Sequence, residues 1–181
     1  MAVERTISSR LIYQGRIVNL RVDTVVLPSG RTSTREIVEH RGAVAMLAVD
    51  DQRRVLLVRQ FRKPIERELL EIPAGTLDPG EDPLAAAHRE LLEETGYTAR
   101  RMERIAGFYS APGFCTEYLH VYLATELTGG VAQPEEDEVL SVVPVPLEAA
   151  WAMVDRGEIC DAKSLIGLLT LRARAQELLR I

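Results

Sequence analysis

The chain has 181 residues, 46% of them hydrophobic, with 27 acidic side chains against 22 lysines and arginines. That length suits one domain, with or without an appendage, and no apolar run nears the ~20 residues of a membrane span. The net charge of −5 argues against nucleic acid as the main partner and leaves any phosphate to be met by local arginines or metal ions.

The two cysteines, Cys115 and Cys160, show neither zinc-ligand spacing nor a disulfide framework, which fits a reducing cytoplasm. The opening MAVERTISSR has no apolar core and does not read as a signal peptide. Residues 7–13 predict a strand. Residues 16–27 alternate Val18, Leu20, Val22 and Val26 with Asn19, Arg21 and Asp23, the period of a half-buried strand. Pro28-Ser29-Gly30 is a turn signal, and 32–39 returns to complete a hairpin. Residues 1–41 therefore read as a small β appendage. It buries too little to stand alone and must lie on the main domain, on a second chain, or on both.

The main domain spans 42–181. Its first segment, 43–49, is a near-continuous apolar run and predicts a buried strand, with 54–61 returning after a turn at Asp50-Asp51-Gln52. Residues 69–72 form a short strand that delivers the chain to Pro73-Ala74-Gly75. Strands are further expected over 104–110, 118–125 and 139–145, a long acidic loop over 129–137, and helices over 147–156 and 162–179. Strands and helices interleave without regular βαβ repeats, so the fold class is α+β, a mixed sheet between helices.

The stretch from Gly75 to Tyr97 organises the rest. Asp82 is a suitable N-cap, Pro83 fits the first helical position, and Gly96 can end the helix in the left-handed conformation. At roughly 100° per residue, Glu90, Glu93 and Glu94 fall at about 0°, −60° and +40°, while Leu84, Ala87, Leu91 and Thr95 cluster near about +120°. One stripe is expected to pack, with His88 on its side, beside a stripe that is almost purely anionic. Like charges at i,i+4 weaken an isolated helix by roughly 0.2–0.5 kcal/mol per pair. A hard divalent cation that prefers carboxylate oxygen would offset this. The alternative is a solvated acidic helix. Gly75 and Gly80 also begin like a phosphate-binding P-loop, but the next residue is Glu81 where that loop needs lysine.

In chain order the stretch offers Gly75, Glu81, Arg89-Glu90-Leu91, Glu93-Glu94 and Gly96, then Tyr97. This resembles the Nudix box, the signature of hydrolases that cleave nucleoside diphosphates linked to another moiety. Tyr97 departs from the aliphatic residue usual at the last position. The resemblance implies an α/β/α sandwich with a mixed β-sheet, here with the N-terminal antiparallel β appendage added. It also implies two or three Mg²⁺ or Mn²⁺ ions held by Glu90, Glu94 and the Ala74 carbonyl, which neutralise pyrophosphate charge and activate a water. Glu93 is then a further ligand or a group that steadies the others. Arg89 is expected to pair with Glu81 or Glu93, or else to touch substrate.

A base is still needed, since carboxylates beside cations keep low pKa values. The acidic loop supplies Glu135, Glu136, Asp137 and Glu138. By resemblance Glu136 is the candidate base and Glu138 its neighbour, as an alternative base or a distal metal ligand. Pro112, 15 residues after Tyr97, resembles the ADP-ribose pyrophosphatase branch. So do Arg35-Glu36, Arg59-Gln60-Phe61-Arg62, Leu70-Glu71-Ile72-Pro73-Ala74-Gly75 and Gly113-Phe114. Arg62 matches a phosphate-binding arginine of that branch, and a guanidinium suits bidentate phosphate contact. Arg35 and Glu36 are expected at the ribose or adenine across a dimer, and Pro112-Gly113 in a rigid turn beside the site. Members of the branch are homodimers that exchange N-terminal β segments, which brings Tyr13 or Ile17 toward adenine.

The implied reaction is hydrolysis of ADP-ribose to AMP and ribose 5-phosphate. The alternatives are another nucleotide sugar such as GDP-mannose, or a non-catalytic nucleotide-sensing module. His40, His88 and His120 have no ligand spacing, and Trp151 reads as core.

Overall fold

The computed structural model describes residues 3–129 and 140–179, and the chain divides into two units. The first holds the residues up to Gly42 together with Tyr109–Tyr118. In it β1 (Arg5–Gln14), β2 (Val18–Val26) and β3 (Thr32–His40) pair antiparallel in that order. The turn forms where its residues predict. Gly30 takes φ 83° and its N–H donates to the Leu27 carbonyl at 2.9 Å, which sets Val26 opposite Thr32. β1 is an edge strand with every side chain exposed.

The Tyr109–Tyr118 segment rests on β3. The Val38 N–H donates to the Phe114 carbonyl at 2.8 Å, and the Thr116 N–H donates to the Val38 carbonyl at 3.0 Å. These bonds join segments far apart in the chain, so no local pattern signals them.

The second unit holds Ala43–Phe108 and the chain from Leu119 onward. Its strands are β4 (Ala43–Ala48), β5 (Arg54–Arg62), β6 (Arg67–Glu71), β7 (Ala74–Thr76), β8 (Tyr97–Tyr109), β9 (Tyr118–Gly129) and β10 (Leu140–Pro146). Its helices are α1 (Pro83–Thr95), α2 (Leu147–Asp155), α3 (Ala162–Ala173) and the short α4 (Ala175–Leu178). One sheet runs β7-β4-β9-β8 and the other β10-β5-β6. β4 pairs parallel to β9 but antiparallel to β7, so the sheet is mixed.

The apolar run of β4 is buried on both faces because strand residues alternate sides. Ala45, Leu47 and Val49 join Val121, Leu123, Leu147, Ala150, Leu168 and Leu171 in one core, against α2 and α3. Val44, Met46 and Ala48 join Leu56, Tyr122, Ala86, Ala87 and Leu91 in another, against α1. Helix, sheet, helix is the sandwich expected from the sequence.

Three elements differ from the reading above. β8 begins at Tyr97 rather than 104, because Arg100, Arg101 and Glu103 put charge on both of its faces and hide the alternation. The expected helix 162–179 breaks at Arg174 (φ −119°, ψ 20°), and α4 restarts so that Leu178 is buried. β7 is too short to show a pattern; it exists because it pairs with Ala43–Ala45. Among the described residues no helix is long and apolar enough to cross a membrane.

Candidate active site

α1 starts and stops as its sequence dictates. The Asp82 carboxylate accepts from the Leu84 and Ala85 N–H groups at 3.0 Å each. Pro83 occupies the first turn, and Gly96 (φ 73°) closes the helix with its N–H on the Leu92 carbonyl. The buried face comprises Ala86, Ala87, Leu91, Glu94 and Thr95. That corrects the helical-wheel reading in three ways. Leu84 is exposed, because side chains lean toward the helix N-terminus and a first-turn residue reaches past the packed region. His88 is exposed rather than on the packed side. The anionic stripe does not run beside the packed face; at Glu94 it enters it.

Glu94 is 2% exposed, and its carboxylate accepts the Ala74 N–H at 3.0 Å. Ala74 and Gly75 lie on β7, so this bond holds that strand's backbone against the helix. At Gly75 the approach is closer still. A Cβ there would sit 1.9 Å from Glu90 Cδ, so only glycine leaves room for that carboxylate. The first glycine of the box is thus a hole filled by one of its glutamates.

Arg89 organises the remaining carboxylates. Its Nε and Nη2 donate to the two Glu81 oxygens at 2.9 Å each, and its Nη1 donates to Glu90 at 2.8 Å and Glu93 at 2.9 Å. Glu81 in turn accepts the Asp78 N–H at 3.0 Å, which ties down the loop before the helix. The Arg89 hydrogen bonds hold the Glu81 carboxyl below its usual range, and the same contacts push the guanidinium pKa up. Part of the like-charge repulsion along the helix is therefore balanced from within, by Arg89. Among the described residues no three acidic, cysteine or histidine side chains converge as a ready-made cage. The donor set still fits a hard divalent ion: carboxylates at Glu90 and Glu94, with the Ala74 backbone held beside them.

Arg62 leaves β5 and docks on Glu71, with Nε and Nη2 each 2.8 Å from a carboxylate oxygen. Glu71 is 1% exposed and also accepts a hydrogen bond from Lys163 in the first turn of α3. Burial works to raise the Glu71 pKa, but the hydrogen bonds from Arg62 and Lys163 win and hold it below the usual range. The Glu71 hydrogen bond raises the Arg62 pKa, and the charge of Glu94 adds to that. Arg62 thus feels one box carboxylate, Glu94.

Arg35, Glu36, Pro112 and Gly113 all fall in the first unit. Arg35 and Glu36 are on β3, and the exposed Pro112-Gly113 turn is carried by the segment that rests on that strand. The Arg35 guanidinium bonds to Glu4, Ser33 and the Thr34 carbonyl. Glu136 and Glu138, with the rest of the acidic loop from 130 to 139, lie outside the described residues. Glu71 and Lys163 were missed as site residues. A signal existed for each: Glu71 interrupts an apolar run, and Lys163 stands at the positive end of a helix dipole, where lysine is disfavoured.

A sandwich whose edge strand and first helix press carboxylates around a glycine is the scaffold of a phosphohydrolase of the Nudix class. The NUDIX domain matches residues 39–165, and the chain belongs to that family. Residues 4–38 match the nucleoside diphosphate sugar hydrolase N-terminal domain. An ADP-ribose pyrophosphatase of Bacillus subtilis is 47% identical over 173 residues, 94% of each chain. One from Mycobacterium tuberculosis is 42% identical over 93% of this chain and 83% of its own. A GDP-mannose pyrophosphatase of Citrobacter koseri is 34% identical over 73% of this chain and 74% of its own. The crystal structure of an ADP compounds hydrolase, 21% identical, shares the fold with a TM-score of 0.86 over 98% of this chain and 97% of its own.

Proposed function

We propose that the chain hydrolyses the diphosphate of ADP-ribose to AMP and ribose 5-phosphate, using Mg²⁺ or Mn²⁺. The observation that carries this reading is the packing of Glu94 on the Ala74 N–H and of Glu90 into the space at Gly75. It holds two carboxylates and one backbone carbonyl on adjoining elements, a hard-oxygen set suited to two or three such ions. Glu90, Glu94 and the Ala74 carbonyl are the ligands, with Glu138 a further one. The ion supplies positive charge for the diphosphate and Lewis acidity toward the attacking water.

This chain's own residues do the rest. Arg89 orients Glu81, Glu90 and Glu93. Glu93 stands half-exposed and steadies the ligand set or joins it. Arg62 meets a phosphate, and Glu136 takes the proton of the attacking water, with Glu138 as the alternative base. Arg35, Glu36, Pro112 and Gly113 contact the terminal ribose or adenine. Residues 1–41 act as the dimerisation appendage of a homodimer, with β1 exchanged between copies. The unpaired cysteines Cys115 and Cys160 suit a reducing cytoplasm.

A second reading is a pyrophosphatase of another nucleotide sugar, favoured by the GDP-mannose relative. One assay separates the two: hydrolysis of ADP-ribose, GDP-mannose, ATP, NADH and diadenosine polyphosphates with Mg²⁺, with and without chelator. ADP-ribose is expected among the best substrates, with activity lost to EDTA. Glu94→Gln is expected to lose turnover by about 100-fold or more while staying folded. Indifference to chelator would remove the metal reading, and a clear preference for GDP-mannose would replace the substrate.

A further inference from the structure

Arg62 stands at one end of a row of alternating charges that runs away from the box. Its Nε and Nη2 edge is spent on Glu71. Glu71, at 1% exposure, shares its second oxygen with Lys163. Lys163 donates in turn to Asp161 Oδ1 at 2.9 Å, and that oxygen also accepts the Ser164 N–H at 3.1 Å as the N-cap of α3. The Ser164 hydroxyl, fully buried, accepts the Ile72 N–H at 2.9 Å. The first turn of α3 is therefore bonded twice to the end of β6, through Glu71 and through Ile72, immediately before the backbone enters Ala74-Gly75.

Stability alone does not account for this row. Buried ion pairs are typically no more stabilising than apolar packing of the same volume. Lys163 also sits against the positive end of the α3 dipole, and Glu71 interrupts the apolar run from Leu69 to Ala74. Local rules are broken at two positions that meet in space, and the shared product is a fixed pose for one guanidinium. Among the described residues the remaining edge of Arg62, Nη1, carries no hydrogen bond, and the charge of the Glu94 carboxylate reaches that guanidinium.

We propose that Lys163 is a positioning residue for phosphate recognition: by sharing the buried Glu71 carboxylate, it holds Arg62 with its Nη1 edge presented to the substrate diphosphate. This rests on the reading of Arg62 as a phosphate contact. Without Lys163, Glu71 keeps only Arg62 as its cation. The guanidinium is then drawn toward the core and its alignment relaxes. Substrate binding weakens, while the metal ligands, which Lys163 does not touch, are unchanged.

A double-mutant cycle tests this with ADP-ribose and Mg²⁺, or with GDP-mannose if the substrate panel favours it. Lys163→Met is expected to raise KM about tenfold with kcat within about twofold. The half-saturating Mg²⁺ concentration should not move. Lys163→Arg should recover KM to within about threefold. In an Arg62→Ala background, Lys163→Met should add less than about twofold, because the residue it serves is gone. Effects that multiply in the double variant, or an unchanged KM in Lys163→Met beside a raised KM in Arg62→Ala, would overturn the positioning role alone. An unchanged KM in Arg62→Ala would overturn the phosphate role of Arg62, and this proposal with it. Should Lys163→Met fail to fold, Lys163→Gln, which keeps a donor for Glu71 without the charge, takes its place in the same cycle.

Discussion

At Gly75 a single missing methyl decides whether the site can assemble. The space a Cβ would take is occupied by the Glu90 carboxylate, which would have to swing away and give up its present bond to Arg89. Gly75→Ala is therefore expected to displace Glu90 and lower kcat/KM by about 100-fold. A raised Mg²⁺ requirement should accompany that loss, and only a modest fall in melting temperature. A metal titration of activity beside a thermal melt checks it. At this scale much was legible in the sequence. Asp82, Pro83 and Gly96 act through their own backbone neighbourhood, so their roles follow from residue type. The pairing of Lys163 with Glu71 was not legible, because the two meet across 92 positions of chain.

The helix α1 shows what an element adds to its residues. Its wheel angles correctly separate Leu91 from Glu90 and Glu93, but they do not show which arc the sheet covers. The sheet covers the arc that includes Glu94, so one metal-ligand candidate is also a core residue. Leu91, fully buried between β4, β5 and β9 residues, anchors that arc. Leu91→Ala is expected to cost about 2–5 kcal/mol of folding stability, read by urea denaturation. Elements with a long capped helical pattern or a continuous apolar run, such as α1 and β4, were placed within a residue or two. β8 was half missed, since charged residues on both faces mask the alternation, and β7 exists only through pairing.

On the scale of the molecule, the net charge of −5 makes the internal arginines more telling. An anionic substrate gains nothing from the overall field, so its attraction must come from local cations, the part that the proposed function gives to Arg62 and divalent ions. The other whole-molecule feature is β1, an edge strand on which Ile7, Leu11, Ile12 and Tyr13 are each at least 44% exposed. Bare apolar edges invite pairing with another chain. Sedimentation is expected to give twice the 20.2 kDa chain mass, and Leu11→Asp combined with Tyr13→Asp to shift the protein toward monomer. A wild-type monomer at micromolar concentration would remove the dimer from the functional reading.

Residue identity alone settled the caps, the turns, the buried strands and the family-specific spacing of carboxylates, because each depends on neighbours within a few positions of chain. Tertiary structure decided what the carboxylates do with one another: Arg89 gathers three of them, Glu94 is buried under the sheet, and Glu71 is shared between two cations. Those outcomes depend on which distant segments pack together, and side-chain charge by itself carries no record of its partner.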